Sequence, residues 1–468
     1  MTLPSCLTPM ARSIVPLVVL LLGGCASLDT QVARESVRQA IVGKTGQAFD
    51  TDKRLPRRVT EPAEVPSADE AVRIALLDNP AVGALLAELD AAEAQAVQTS
   101  LLKNPFLHAS VLYPNDSQGK AITIDLSWDA LGLLTLGPRR ESADHARAAA
   151  RLKVVAGILE LAARSRAAWY THLADKEGSS LSNDQAEAAD LGAEISLRLE
   201  QAGNIPPMAA GAARAARLDA HYAREDAEMM ARTSQERLAA LLGVGVPGLL
   251  KLPENIPRLP AKDPATPDSA ALEAVDLRLA ALNADLERTN RQVESARRSA
   301  WTDSVELGWT WDRETTGAWK DGPSLGVSIP LFDTGAARRA ATRFEADQLQ
   351  ARIAERKLAL AKEAREAASR MKRARDRVEN LRENLLPLLS DAQAQALLEY
   401  NAMQKSPFHL LDLKQWELSA IRQLVMGLAD YWQSRTALEA LKMGVSLDAG
   451  SEQRPMFVTQ PASQTGGH

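Results

Sequence analysis

The residue with the clearest chemistry in this sequence is Cys25. It ends the run Leu22-Gly23-Gly24-Cys25, where small residues leave the backbone open to a processing peptidase and the thiol can accept an acyl group. Before it come a basic residue, Arg12, and the apolar stretch Ile14 to Leu22, which is too short to span a bilayer as a stable helix. These features predict a lipoprotein signal peptide over residues 1–24 and a lipid on Cys25. The alternative is an ordinary signal peptide with an incidental cysteine.

Other residue types form no recognisable catalytic site. Cys6 also lies in the signal segment, so the rest of the chain has no thiol for a disulfide or a thiolate metal site. The histidines are scattered, with no pair at metal-ligand spacing, and no motif for metal-dependent proteolysis, a serine nucleophile or phosphate binding is present. We therefore expect no enzyme activity, no metal, no cofactor apart from the lipid and, at a net charge of −5, no nucleic-acid partner.

The residue after the lipidated cysteine predicts the location. In Gram-negative lipoproteins an aspartate there retains the protein at the inner membrane, whereas this chain has Ala26. No later stretch reaches the roughly 20 apolar residues of a membrane helix. The sequence therefore predicts a lipid-anchored protein of the outer membrane.

Helices and two hairpins surround these residues. Residues 25–66 are polar and rich in proline at their end, which predicts an extended lead-in. A helical pattern follows to about Lys103, and alternation then predicts strands at 106–113 and 122–128. A second pair is predicted at 305–311 and 325–331, separated by a polar loop at 312–323.

Each hairpin leads into a very long helix, a turn and a returning helix. The first long helix begins after Gly137 and the second after Gly335; the returning helices end at Gly243 and Gly444. The near-constant offset of about 200 residues indicates an internal duplication. It sets the predicted boundaries at 67–245 for the first repeat, 246–268 for a proline-rich linker, 269–444 for the second repeat and 445–468 for a flexible tail.

The hairpins predict how the chain meets a membrane. Their strands have roughly nine residues, one apolar face and one polar face, as in a tilted strand between lipid and a watery lumen. Four strands leave open edges, which lipid does not tolerate, so closure requires other subunits. The long helices must bury their apolar stripes against each other. The predicted fold class is mainly α with membrane β-hairpins.

Several local patterns resemble the outer membrane efflux protein (TolC-like) family, over roughly residues 67–444. They are Asn79-Pro80, Gly326 to Asp333 followed by Gly335, Leu386-Pro387, Tyr400-Asn401-Ala402 and Leu441 to Gly444. The resemblance implies a homotrimer in which three chains build a 12-stranded β-barrel and a long periplasmic α-barrel of coiled helices. It also implies docking to a periplasmic adaptor protein and an inner-membrane pump.

The family also implies roles for the residues at the two helical turns. Lys405 and Asp412 match a basic residue and an acid of the pore gate, His409 stands where a first acid is usual, and Tyr400 matches the tyrosine on the gate side. The candidate partner-docking tips comprise Gly203, Asn204, Ile205, Gln404 and Ser406.

Three positions depart from the family pattern. Met403 replaces a glycine of the second tip, Ala202-Gly203-Asn204 replaces a valine-glycine-leucine pattern, and Ala209 replaces an aspartate that pairs with the basic tip residue in the best-known relative.

The function that the sequence predicts is a passive duct of a tripartite efflux pump. The alternatives are a lipid-anchored periplasmic coiled-coil scaffold without a pore and an outer-membrane duct for protein secretion. The transported substrate is not written in the sequence.

Overall fold

The computed structural model describes residues 30–47, 49, 63–113, 115, 119–299, 302, 304–329, 331–332 and 334–447. The predicted signal peptide, Cys25 and all but the first residues of the predicted tail lie outside them.

The elements follow the predicted order of helices and hairpins. The helices are α1 (Thr30–Thr45), α2 (Ala68–Asp78), α3 (Pro80–Ser100), α4 (Ala130–Leu134), α5 (Leu136–Gln201), α6 (Pro207–Leu242), α7 (Ser269–Val275), α8 (Leu277–Arg298), α9 (Ala336–Asn380), α10 (Leu386–Asn401) and α11 (Pro407–Met443). The strands are β1 (Ala63–Glu64), β2 (Phe106–Leu112), β3 (Ala121–Asp129), β4 (Leu250–Lys251), β5 (Val305–Arg313) and β6 (Trp319–Val327). A single 3-10 turn, Pro247–Leu249, precedes β4.

The element order repeats with the predicted offset. The helix before each tip ends at Gln201 and Asn401, and the helix after it ends at Leu242 and Met443. The compact units of the chain are nevertheless not the two repeats. One, the sheet unit, takes in residues up to 54, 81–155 and 277–357, and the other, the helical unit, takes in 55–80, 156–276 and 358 onwards. Each unit therefore contains a piece of both repeats.

The extended lead-in predicted for residues 25–66 is wrong for its central part, which forms α1. Ala33, Val37 and Ile41 recur every fourth residue and are buried, so they form one apolar helix face. Arg34 of α1 makes a two-pronged ion pair with Asp90 of α3, with Nε at 3.0 Å from Oδ1. The prolines further along favoured extended chain, but the helical spacing before them decides the structure.

The second hairpin also differs from the sequence prediction. Strand β6 begins at Trp319, inside the predicted loop 312–323, and ends at Val327 rather than near Leu331. The pairing runs from Val305–Val327 to Arg313–Trp319, because the longer β5 needs partners for its backbone groups. Pro323 lies in β6 opposite Trp309 of β5, and β6 is an outer strand of the sheet within the chain, the place where proline is usually found in a sheet.

The second long helix is not regular α-helix all the way from the break at Gly335 to the tip. A π-helical turn, Leu381–Leu385, separates α9 from α10, and the amide of Leu386 donates to the carbonyl of Leu381. Pro387 follows immediately; it lacks an amide proton and its ring crowds the carbonyl one turn earlier. The wider turn accommodates both effects without ending the helix.

The core of the helical unit is built around aromatic side chains. Tyr170 of α5 stacks on Trp432 of α11 with ring centroids 4.8 Å apart, and Trp169 donates to the carbonyl of Val65 at 3.1 Å. In the same unit, burial lowers the pKa of His172 to about 4. The ring is therefore neutral at neutral pH, where it hydrogen-bonds Ser234 of α6 at 3.1 Å.

The proline-rich segment predicted as a linker is bound to the helical unit. Trp432 donates to the carbonyl of Pro257 at 2.9 Å, and Tyr431 donates to Asp263 at 2.7 Å. Arg375 of α9 donates to both carboxylate oxygens of Asp263. Burial opposes ionisation of Asp263, but the bonds from Arg375 and Tyr431 still leave its pKa below the usual value.

The Asn79-Pro80 pattern has a structural role at the end of α6. The side-chain amide of Asn79 donates to the carbonyl of Leu241 at 2.7 Å, which satisfies a group that the helix itself leaves unpaired. Gly243 ends α6 in the left-handed conformation, with φ +75°. A Cβ there would lie 2.5 Å from the carbonyl oxygen of Asp78. Only glycine therefore permits this contact between the two segments.

Replacement of Gly243 by alanine should destabilise the protein by at least about 2 kcal/mol, because left-handed strain and a backbone clash act together. Thermal unfolding of the detergent-purified protein measures this. The matched control is Gly211→Ala within α6, where nothing lies within 4 Å of the added Cβ and helix propensity should raise stability. Equal unfolding temperatures for the two variants would contradict the assigned role of Gly243.

Candidate functional site

The sheet unit contains a four-stranded antiparallel sheet in the order β2-β3-β5-β6. Its strands have seven to nine residues, as the sequence predicted. Strand β3 pairs with β5 from Ile122–Arg313 to Asp129–Glu306, so the two hairpins join into one sheet. No helix in the described part of the chain is both long and apolar enough to cross a membrane.

The register sorts the side chains of this sheet onto two faces. The mainly apolar face carries Leu107, Ala109, Val111, Ile122, Ile124, Leu126, Trp128, Leu307, Trp309, Trp311 and Leu325, together with the charged residues Arg313 and Asp321 near the turn of the second hairpin. The polar face carries His108, Ser110, Thr123, Asp125, Ser127, Glu306, Thr310, Asp312, Lys320 and Ser324. Several apolar side chains stay exposed in the single chain, such as Leu107 at 65% and Leu325 at 66%. This exposed surface needs a cover outside the chain.

Hydrogen bonds between strands organise the polar face. Thr123 donates to Asp312, and Thr310 donates to Asp125, both at 2.5 Å. Each bond holds a carboxylate on the surface of the sheet rather than in a core. The polar face therefore presents fixed negative charge together with hydroxyl groups.

The two outer strands have partners on one side only. Strand β2 pairs with β3, and β6 pairs with β5; no further pairing of either strand occurs in the described residues. Each edge exposes a row of backbone donors and acceptors that can pair with another strand.

The two helical tips lie in the helical unit and share one backbone geometry. At the first tip the amide of Gly203 donates to Glu200 at 2.9 Å and that of Asn204 to Leu199 at 2.8 Å. At the second tip the amide of Met403 donates to Tyr400 at 2.9 Å and that of Gln404 to Glu399 at 2.9 Å. Both are Schellman motifs, in which a left-handed residue ends the helix. The duplication therefore extends to individual hydrogen bonds.

The candidate gate residues all lie at or near the second tip. Tyr400 is in the last turn of α10 and 41% exposed, and Lys405 is in the turn. His409 and Asp412 are exposed on the first turns of α11. Neither Lys405 nor Asp412 has an ion pair with any described residue. These four residues are therefore close in sequence and lie on an open surface of the single chain. They do not enclose a site there.

The candidate docking residues are exposed at both tips, except Ile205, which is half-buried. Pro207 and Pro407 begin the returning helices, a position where proline costs no hydrogen bond. Ser406 precedes α11 without a hydrogen bond from its side chain to the helix. Its hydroxyl group is therefore open to a partner.

Two of the departures from the family pattern can be located in the structure. Met403 has φ +58° and is, among the described residues, the one residue other than glycine with a positive φ. Its side chain is 95% exposed, so no packing compensates the strain. Ala209, in the first turn of α6, is exposed and offers no acceptor side chain to a basic residue.

Sequence reasoning missed the apolar side chains at the tips. Trp416 follows Asp412 by one helical turn on the same side of α11 and is 62% exposed, and Met208 beside the first tip is 83% exposed. The available signal was a lone tryptophan in an otherwise polar turn. These side chains give the tips an apolar as well as a charged contact surface.

The described residues contain no group of three or more histidine, cysteine, aspartate or glutamate residues that could hold a metal ion.

No family model matches the chain. Among curated proteins it is similar to the cobalt-zinc-cadmium resistance protein CzcC of Cupriavidus metallidurans, with 24% identity over 396 residues, 83% of this chain and 91% of the relative. Among solved structures it matches the CmeC outer membrane channel of Campylobacter jejuni, with a TM-score of 0.66 and 16% identity over 81% of this chain and 86% of that one. It also matches the outer membrane protein VceC of Vibrio cholerae, with a TM-score of 0.65 and 16% identity over 81% and 96%.

The chain has the fold of the outer-membrane efflux channels. The resemblance that the sequence patterns indicated is thereby confirmed. Two parts of the chain have distinct surface chemistry. The sheet has an exposed apolar face, and the tips are exposed turns that carry charged side chains.

Replacement of Met403 by glycine should stabilise the protein by about 0.5–1 kcal/mol, since relief of about 1–2 kcal/mol of left-handed strain exceeds the added entropy of the unfolded chain. The reciprocal variant, Gly203→Ala at the first tip, should lose a similar amount, because its φ is +75° and nothing lies within 4 Å of the new Cβ. Thermal unfolding in detergent distinguishes the two. Destabilisation by Met403→Gly would contradict the strain assigned to the second tip.

Proposed function

We propose that this chain is the outer-membrane channel subunit of a tripartite efflux pump and works as a passive trimeric duct. The observation that carries the proposal is the four-stranded sheet, which has one apolar face, one polar face and two unpaired edges. An apolar face suits lipid, and a polar face suits a watery lumen. The fold shared with CmeC and VceC supports the same function.

The direction of the strands favours closure by identical copies. The four strands alternate in direction, so β6 of one copy and β2 of the next are antiparallel and can pair like any neighbours in the sheet. Any whole number of copies preserves this alternation. Three copies give the 12-stranded barrel implied by the family resemblance, and the long helices α5 and α9 to α11 then form the coiled α-barrel in the periplasm.

The tips serve as the partner-docking and gating end of the duct. Exposed polar turns, the open hydroxyl of Ser406 and the apolar side chains Met208 and Trp416 suit contact with a periplasmic adaptor, through which the inner-membrane pump is engaged. Tyr400, Lys405, His409 and Asp412 form the proposed gate, in which copies of each residue from three chains surround one axis.

The alternatives are less well supported. A coiled-coil scaffold without a pore does not require the exposed apolar sheet face, which would be a liability in water. A duct for protein secretion shares the fold, but the curated relative is a metal-resistance protein rather than a secretion component. Enzyme activity has no positive support from the residue pattern.

We propose that Cys25 carries the lipid and that α1 holds this end of the chain against the sheet unit. Only four residues separate Cys25 from α1, a reach of roughly 18 Å in extended chain. Helix α1 is joined to α3 by the Arg34–Asp90 ion pair. The lipid therefore anchors and orients the duct.

Mass spectrometry of the mature N-terminal peptide should find acyl chains on Cys25, and the variant Cys25→Ser should lose them while still forming trimers. Trimer formation is expected to persist because the strand edges, not the lipid, join the copies. Loss of folding and assembly in Cys25→Ser would contradict an anchoring role.

We further propose that the cargo is a divalent metal cation. The polar face of the sheet carries Asp125, Glu306 and Asp312 against a single lysine, Lys320, and copies of Asp412 would ring the gate. Rings of carboxylates favour cations and disfavour anions. The similarity to CzcC, a cobalt-zinc-cadmium resistance protein, agrees with this charge pattern.

Disulfide cross-linking tests the closure of the sheet. Ser110→Cys on β2, combined in turn with Lys320→Cys, Gly322→Cys or Ser324→Cys on the same face of β6, should yield cross-linked dimers and trimers and nothing larger. The control replaces Ser110→Cys by Thr123→Cys on β3, which lies one strand further from the neighbouring copy, roughly 10 Å from its β6. Monomers with every pair, or ladders beyond the trimer, would exclude a three-chain barrel.

Metal sensitivity tests the cargo. A strain that lacks this chain should become several-fold more sensitive to zinc, cobalt or cadmium, and the chain itself should restore growth. The variant Asp412→Asn should restore less, because one ring of charge is lost, while Asp391→Asn, an exposed acid on α10, serves as the control. Unchanged metal sensitivity together with sensitivity to organic drugs would exclude metal cargo while leaving the duct itself in place.

A further inference from the structure

The sheet unit contains a cavity of about 390 Å³ where its strands lead into helices. Its lining comes from Thr99 at the end of α3, the start of α5, the end of α8, Thr302 before β5, and the segment from Thr334 into α9. This volume is within the range of small-ligand sites. None of the residues proposed for the gate, for the docking tips or for the two faces of the sheet lines the cavity.

The charge of the lining is positive. Four arginines line the cavity, namely Arg139, Arg291, Arg338 and Arg339, and none of the described aspartates or glutamates does. Arg291 is balanced by Glu141 at 2.9 Å and Glu294 at 3.2 Å.

Two of the other arginines are held in place by neutral groups. Arg139 donates to the carbonyl of Gly132 at 3.1 Å, and Arg339 donates to that of Thr334 at 2.9 Å. Neither has a carboxylate of any described residue at ion-pair distance, although the carboxylate of Asp129 acts electrostatically on Arg139 from further away. The backbone thus fixes both side chains at the cavity and leaves their charge available to an anion.

One buried donor at the cavity lacks a partner. The Nε of Arg139 is buried and has no hydrogen-bond acceptor among the described residues. Ser142, which is 5% exposed, also lines the cavity and brings a hydroxyl group as a further donor. A buried donor without an acceptor is costly, so an oxyanion that accepts from Arg139 would be stabilised.

Exposed apolar side chains flank the lining segments in the sequence. Leu133 and Leu134 precede the start of α5 and are 47% and 57% exposed; Leu331 and Phe332 precede Thr334 and are 76% and 101% exposed. A free anion would gain nothing from these side chains. A ligand with a phosphate group and acyl chains would use both the charge and the apolar surface.

We propose that this cavity binds the phosphate of a phospholipid headgroup, with the acyl chains along Leu133, Leu134, Leu331 and Phe332. The inference goes beyond the proposed duct. Lipid binding at the border of the sheet can be measured in an assay that does not depend on transport. Phosphate oxygens accept from Arg139 and Ser142, and Arg338 and Arg339 supply further positive charge.

Native mass spectrometry of the full-length, detergent-purified protein tests the proposal with dioleoyl phosphatidylglycerol as the probe. The expected result is bound lipid on the unaltered protein and at least about tenfold weaker binding to Arg139→Gln/Arg338→Gln, because charge-assisted hydrogen bonds are lost. The matched control is Arg140→Gln/Arg343→Gln, which removes the same charge from neighbouring exposed arginines outside the cavity. Equal lipid binding by the two double variants would overturn the proposal.

Two further probes identify what the cavity recognises. Dioleoylglycerol has the same acyl chains without phosphate and should not bind; equal binding of it would assign the interaction to the apolar side chains alone. Inorganic phosphate should fail to displace the phosphatidylglycerol, and full displacement at equal concentration would overturn the lipid assignment in favour of a free-anion site.

A second variant covers the case in which the arginine variant fails to assemble. Ser142→Ala removes the hydroxyl without a charge change and should weaken lipid binding to a smaller extent. Unchanged binding to that variant would count against the site.

Discussion

Backbone amides and carbonyls of a strand need partners, and the two outermost strands of this sheet have them on one side only. This constraint explains several other features of the molecule. A sheet with free edges and an exposed apolar face is poorly suited to remain alone in either lipid or water. In the proposed duct, the alternating strand direction lets identical copies satisfy the edges, and the polar face lines the enclosed space.

The duplication provides the second organising principle. The two repeats share helix ends, strand order and even the hydrogen bonds of their tips, yet neither repeat is a compact unit by itself. Strands of both repeats complete one sheet, and helices of both repeats complete one core, in which Tyr170 of the first stacks on Trp432 of the second. Each half therefore buries part of its apolar surface against the other. The proline-rich segment between the halves is bound in place by Asp263, Arg375 and Trp432 rather than left as a loose connection.

The tips show where identical backbones carry different chemistry. Gly203 and Met403 occupy the same left-handed position, but only glycine adopts it without strain. The side chain of Met403 is exposed, so no packing offsets the free-energy cost of its left-handed backbone. Together with Met208 and Trp416, it gives the proposed docking end an apolar character that charge-based reasoning about Lys405 and Asp412 did not anticipate.

The sequence by itself determined the element order, the hairpin faces, the tip turns and the resemblance to outer membrane efflux proteins, because these depend on local periodicity and on glycine and proline at fixed positions. It failed where distant partners decide. The extent of β6 depends on how far β5 continues, and the π-helical turn depends on how a long helix accommodates Pro387. Only the tertiary structure brought Arg139, Ser142 and the residues near Arg338 around one cavity. The duplication puts Arg139 and Arg338 at similar places in the two repeats, but it does not show that the two places meet in space.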